Sequence, residues 1–330
     1  MTLKSLIGNG LIIAATCLAF WLLYRILQNY SLDDIRNSLL SIPLRRLCFA
    51  LLCAAASYLC LTGFDFLALL SLGKSLPYRK IALASFVSLS MGHNIGFAGL
   101  SSGAFRYRFY SRWGLSIEEV AKIVLFCGIT VGLGMTALGG TALLVDPADA
   151  AGLLSSNTRD VRTAGVIILA VPVLYAFLTM VLRQRMTLWR WSFELPGPHI
   201  ALLQIVIGAL NFVCVSACLH QLLSAFADVA LFRSITAYVL ANTAVMATHV
   251  PGGLGVIETT VSYIVPNAAS IGALIAFRCI YFLIPLILGT TLLIVSELAS
   301  RHRSARTKDP AKAADKTTGT QAPQRTGGIE

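Results

Sequence analysis

Apolar runs of about 20 residues recur along most of this 330-residue chain, and a run of that length is what an α-helix needs to cross the hydrocarbon core of a bilayer. In a bilayer each lipid-exposed backbone N–H and C=O must find its partner inside the protein, and runs of this length without strand alternation meet that condition as helices. Composition agrees: 56% of the residues are hydrophobic and 12% are charged, where a soluble domain carries about 25% charged residues. The expected fold class is an all-α integral membrane protein.

Six runs read as full spans, at roughly 6–24, 47–70, 120–145, 163–182, 200–223 and 271–296. Two more, 81–104 and 235–265, are interrupted near their middles by glycines and polar residues and read as broken helices or re-entrant hairpins; counted as crossings, they would bring the total to eight. The first run ends in Trp21, Tyr24 and Arg25 without a small-residue cleavage site, so it is expected to be retained as a span. Residues 1–300 are expected to form one membrane domain, and the polar, basic residues 301–330 a disordered cytoplasmic tail.

The net charge of +11 is concentrated in short loops and in that tail. Such clusters beside apolar spans mark the cytoplasmic side and suit anionic lipid, and no nucleic-acid partner is expected. Lys74, Arg79 and Lys80 precede the first broken segment and Arg106, Arg108 and Arg112 follow its glycines, so both of its ends are expected inside. Asp146, Asp149 and Asp160 fit the outside, and Arg183, Arg185 and Arg190 return inside. Both termini are thus expected on the cytoplasmic side of a bacterial inner membrane. Residues 25–46 fit this scheme less well, with Arg25, Arg36, Arg45 and Arg46 against Asp33 and Asp34 in a loop placed outside.

Each half of the chain reads span, span, broken hairpin, span, with half-repeats of about 1–150 and 155–300. An odd number of crossings per half inverts the second half, an architecture that recurs in transporters with binding sites at discontinuous helices. The breaks are alike: "HNIGFAG" (His93, Gly96, Gly99) matches "HVPGGLG" (His249, Gly252, Gly255) at an offset of 156 residues. Glycines at such breaks, Gly253 among them, allow a sharp reversal and a close approach of backbone N–H groups to a ligand. The half-helix N-termini that follow are natural anion sites, although tight packing alone would also account for the glycines.

Several polar residues lie in apolar surroundings. Asp65 shares a helical stripe with Tyr58 and Thr62, and either makes a packing hydrogen bond or serves a site. Arg278, early in the last span, either snorkels outward, pairs with Asp65 or Glu258, or meets a lipid phosphate. Glu258 follows the second break, where the helix dipole alone favours a carboxylate. His93 and His249 read as packing groups or as site residues, and Arg106 and Arg108 add positive charge on the cytoplasmic side. Gly128 and Gly132 form a G-x-x-x-G expected to make a close helix contact. Cys214, Cys218 and His220 admit a metal reading, against which simple packing is the plainer account. Motifs for a P-loop, a G-x-S-x-G elbow and H-E-x-x-H are missing; no catalytic residue, metal or cofactor is expected.

The segments from "SYLCLTGFDF" through "MGHNIGFAGLSSGAFRYRFY", with "HVPGGLGVIETT" and "FRCIYFLIPLIL", resemble the membrane domain of the lysylphosphatidylglycerol synthase/flippase family, which includes the multiple peptide resistance factor. The resemblance implies a lipid-translocating domain with re-entrant segments. By match to the family's charged positions it implies roles for Asp65, Arg106, Glu258 and Arg278. In the fifth span, where relatives often carry an acidic residue before an aromatic, this chain has Asn211–Phe212, which argues against a cationic aminoacylated lipid. An aminoacyl-transferase domain is absent from this sequence, so the synthase reaction is not expected. The expectation is a lipid transporter acting on an anionic or isoprenoid-type lipid, with membrane lipids as partners. The alternative is a non-transporting accessory subunit of a lipid-modifying or envelope-biogenesis enzyme; besides lipids, the partners considered are a lipid-modifying enzyme and a second copy of the chain.

Overall fold

The computed structural model describes residues 32–95, 98–154, 156–181, 185–188, 191–194, 196–266 and 271–300. The expected span at 6–24, the tail 301–330 and Gly96 lie outside the described residues. A short helix α1 (Leu32–Ser41) leads to α2 (Leu44–Ser71), then to the broken pair α3 (Tyr78–Ile95) and α4 (Ala98–Ser111), and then to α5 (Ile117–Val145). A short α6 (Pro147–Leu154) and a long α7 (Thr158–Val181) follow, with the antiparallel hairpin β1 (Arg185–Leu188) and β2 (Trp191–Glu194). Next come α8 (Pro198–Leu223), the broken pair α9 (Leu231–Thr248) and α10 (Val256–Ile264), and α11 (Ile271–Arg278). The last runs through a π-helical turn, Cys279–Leu283, into an apolar helix ending at Ser300.

Among the described residues, five helices are long and apolar enough to cross a membrane: α2, α5, α7, α8 and the helix Gly272–Ser300. The fold is all-α apart from the small hairpin. Local chemistry sets several of the ends. Ser116 and Glu119 form a capping box at the start of α5, the serine hydroxyl accepting from the Glu119 N–H and the Glu119 carboxylate from the Ser116 N–H. Pro198 opens α8, at the first helical position, where its missing N–H costs nothing.

The order span, broken pair, span recurs. α8 begins 154 residues after α2, α9 begins 153 after α3, and α11 begins 154 after α5. Ser57 of α2 bonds Asn211 of α8, while Gly63 faces Ile207. Residue numbers thus rise along one helix as they fall along the other, so the two helices run antiparallel, as inverted halves require. Small residues bring neighbours close. A methyl group built on Gly208 would lie 2.6 Å from the Thr130 carbonyl oxygen, and one on Gly140 would lie 2.9 Å from the Leu169 nitrogen. Among the described residues the expected contact at Gly128 and Gly132 is not formed: none of them lies within 4 Å of a Cβ built on either, and Gly134 makes the close approach to Gly208 instead. The difference of two positions rotates the contact to another face of α5.

Proline accounts for the π-helical turn. Pro285 has no N–H to give the carbonyl four residues before it, and that Tyr281 carbonyl accepts instead from the Tyr58 hydroxyl at 3.2 Å. The next carbonyl, Phe282, accepts from Asn94 Nδ2 at 3.5 Å. The irregular turn is therefore stitched to α2 and to the end of α3.

Candidate functional site

The first half carries a buried ion pair. Asp65 is 0% exposed and Arg106 2%. Asp65 Oδ1 accepts from Arg106 Nε at 2.8 Å and from the Tyr110 hydroxyl at 3.0 Å. Its Oδ2 accepts from Arg106 Nη2 at 2.9 Å and from the Ser85 hydroxyl at 2.6 Å. Arg106 Nη1 donates to Ser102 Oγ at 2.9 Å. Ser102, Arg106 and Tyr110 recur every four residues and so share one face of α4. A two-pronged guanidinium matches a carboxylate in shape and charge, which is why this pair can be held so far from water.

A second pair sits at the second break. Arg278, 3% exposed, donates from Nε and Nη2 to the Glu258 carboxylate, the Nη2 bond measuring 2.7 Å. It also donates from Nη1 to the Gly252 carbonyl at 2.6 Å and from Nη2 to the Gly253 carbonyl at 2.9 Å. The break leaves those carbonyls without helical partners, and the arginine supplies them. His249 ends α9 in the left-handed region with φ 54°, and Gly252, Gly253 and Gly255 follow with φ 61°, 59° and 80°. This is backbone that glycine adopts without steric cost. The Gly255 N–H, at the start of α10, donates to Glu258 Oε2 at 2.9 Å.

Of the alternatives open for Arg278, these contacts select the pairing with Glu258 and not with Asp65, whose partner is Arg106. Two other expectations are corrected. Arg106 is not a free cytoplasmic charge, and Arg108 bonds Glu297 at 2.7 Å on the last helix, where Arg112 also pairs. At the start of α10 the Gly255 N–H expected to meet a ligand is already taken by the protein's own carboxylate.

Between the halves lies a cavity of about 470 Å³, within the range of small-molecule sites. Of the residues singled out in the sequence, His93, Arg106, Gly128, Asn211, His249 and Gly252 line it. Asp65 stands behind Arg106, while Glu258 and Arg278 lie behind the glycine turn. Gly253 packs against Val245 and Ile257, Gly255 caps α10, and Gly99 falls in the first turn of α4. The breaks meet here, since a methyl on Gly252 would come within 3.8 Å of the Asn94 carbonyl. Much of the wall is aromatic, from Phe64, Phe212, Tyr238, Tyr281 and Phe282.

Asn211 accepts from the Ser57 hydroxyl at 2.7 Å, and Ser57 also shares a 2.9 Å hydrogen bond with the Tyr281 hydroxyl. His93 stacks on Tyr281 with ring centres 6.4 Å apart, and its buried Nδ1 has no hydrogen-bond partner among the described residues. No group of three or more potential metal ligands occurs among the described residues, and Cys214, Cys218 and His220 form none. Ser85, Tyr110, Tyr281 and Glu297 were not singled out in the sequence. The four-residue spacing of Ser102, Arg106 and Tyr110 was the one signal available for any of them.

The comparisons with known proteins bear on the whole membrane region. The family described as the lysylphosphatidylglycerol synthase TM region matches residues 10–291. An uncharacterized protein of Synechocystis, slr0712, is 32% identical over 286 residues, 86% of this chain and 89% of its own length. The inner membrane protein YbhN of Escherichia coli is 26% identical over 265 residues, 77% of this chain and 80% of its own. With spans, paired helix breaks and matched sequence in agreement, the chain belongs to the lysylphosphatidylglycerol synthase transmembrane-region family.

Proposed function

We propose that the protein moves a lipid between bilayer leaflets, holding an anionic head group in the cavity between its two broken helices. The observation that carries this reading is the position of Arg106, which lines the cavity while Asp65 holds it from behind. A phosphate presented from the cavity competes with Asp65 for the same guanidinium fork, because each offers a pair of anionic oxygens that the fork's N–H groups can donate to. Exchange of one acceptor for the other loosens α4 from α2, and so couples head-group binding to movement of the first hairpin. The aromatic wall supplies apolar contact for the upper part of the lipid. The protein acts in the cytoplasmic membrane, with the basic segments 74–80 and 183–190 inside.

Reconstitution tests the proposal. Vesicles of phosphatidylethanolamine and phosphatidylglycerol carry a trace of head-group-labelled phosphatidylglycerol, and a membrane-impermeant quencher reports the outward-facing fraction. Wild-type protein is expected to expose the inner-leaflet label. Arg106→Lys, which replaces the fork with a single point of charge, is expected to slow that exposure. Equal rates for wild-type and protein-free vesicles overturn the reading.

A further inference from the structure

α5 and α9 pack tightly along one stretch and part along the next. In the packed stretch, Ala142 meets Ile235 and Val239, a methyl on Gly139 would lie 3.0 Å from Val239 Cγ1, and Asn242 Nδ2 donates to Met135 Sδ at 3.4 Å. Toward the N-terminus of α5 the next residues on this side are Gly132 and Gly128, and nothing among the described residues lies within 4 Å of a Cβ built on either. Gly128 is exposed and also lines the cavity, with Val131 beside it and Val245 and Met246 across the gap on α9. The cavity therefore continues sideways between the two helices. The flanks of this opening are apolar and exposed, Leu125 at 49% and Met246 at 50%, as suits contact with hydrocarbon.

We propose that the gap at Gly128 and Gly132 is a lateral portal, through which the hydrocarbon chains of a bound lipid reach the bilayer while its head group occupies the cavity. This rests on the lipid reading above. Two further features point to an occupant. The cavity holds about 470 Å³, the size that encloses one drug-sized molecule and too little for a head group together with its chains. His93, on the cavity wall, has a buried ring nitrogen without a partner among the described residues. Each buried methylene gains about 0.8 kcal/mol over water, so chains stay in the bilayer and the head group must enter from the side. The two glycines provide the width, since any side chain there would project into the gap.

The test uses the full chain in vesicles of phosphatidylethanolamine and phosphatidylglycerol, with two photoactivatable phosphatidylglycerol probes. One carries the reactive group in its acyl chain and the other on its head group. Adducts are located by mass spectrometry of the digested protein. The acyl-chain probe is expected to label Val131 and Val245, inside the gap, and Gly128→Leu is expected to reduce that labelling several-fold. Gly152→Leu, at an open glycine on α6 away from the gap, is expected to leave it unchanged. Acyl-chain labelling of wild type confined to outward-facing residues such as Val173 and Phe177 overturns the portal, and this arm needs no variant to fold. The head-group probe separates the two readings. Head-group adducts at Phe212 with none from the chain probe in the gap leave the lipid site standing and remove the portal. Chain adducts in the gap without leaflet exchange keep the portal and remove translocation.

Discussion

Ser57 and Asn211 stand 154 residues apart and are joined by a 2.7 Å hydrogen bond. The same spacing separates the starts of α2 and α8 and of α5 and α11, so the two residues occupy matching places in the two halves. Matching residues touch each other only beside the axis that relates the halves. This bond therefore marks where the pseudo-two-fold axis passes, and the cavity opens beside it, at Asn211.

Asn211→Leu removes the acceptor of Ser57 and a polar group from the cavity wall. Ser57 keeps its bond to Tyr281, so the loss of stability should be about 1 kcal/mol. Leaflet exchange in the vesicle assay should fall by much more than the melting temperature suggests. Unchanged exchange would place the head group elsewhere.

The Asp65–Arg106 pair should behave as a unit. Asp65→Asn or Arg106→Gln alone leaves a buried charge without its partner, a loss of about 3–5 kcal/mol. The double variant should lose less than the sum of the singles, since neither charge then remains. Thermal unfolding of the four proteins in detergent measures this, and additive losses would show that the two residues do not act together.

Arg278→Met should loosen the second break without unfolding the bundle. The Gly252 and Gly253 carbonyls and the Glu258 carboxylate would all lose a donor. Hydrogen exchange should accelerate across 249–258 and stay slow in the middle of α2. Uniform acceleration along the chain would mean that Arg278 supports the whole fold and not this turn alone.

Glycines on α5 and α8 should respond in opposite ways to one methyl group. Gly208→Ala drives a Cβ to 2.6 Å from the Thr130 carbonyl oxygen and should cost about 1–3 kcal/mol as overpacking. Gly128→Ala meets nothing among the described residues within 4 Å and should be neutral, or stabilising by up to about 1 kcal/mol through helix propensity. Melting temperatures of the two variants decide the matter, and equal losses would contradict the open gap.

Much of the site was legible as a set of positions. The broken segments were visible because glycine, proline and polar residues stand out in an apolar run, and the breaks occur there: α9 ends at Thr248 and α10 begins at Val256. The stripe of Tyr58, Thr62 and Asp65 is buried as its spacing requires. Partnerships were not legible. Asp65 meets Arg106 at a separation of 41 residues, and Arg112 meets Glu297 at 185. A helical period says which face a residue occupies and nothing about which helix will cover it.

By itself, then, the sequence determined a helical membrane bundle, the places where two helices break and the doubled order of elements. Hydropathy, glycine and proline act within a few residues of where they stand, and that is why they can be read locally. Only the tertiary structure decided which carboxylate neutralises which arginine, and that Gly134, not Gly128, makes the close helix contact among the described residues, touching Gly208. Those outcomes depend on the angle and distance between helices far apart in the chain. They are set by the sum of all packing contacts and not by any one segment.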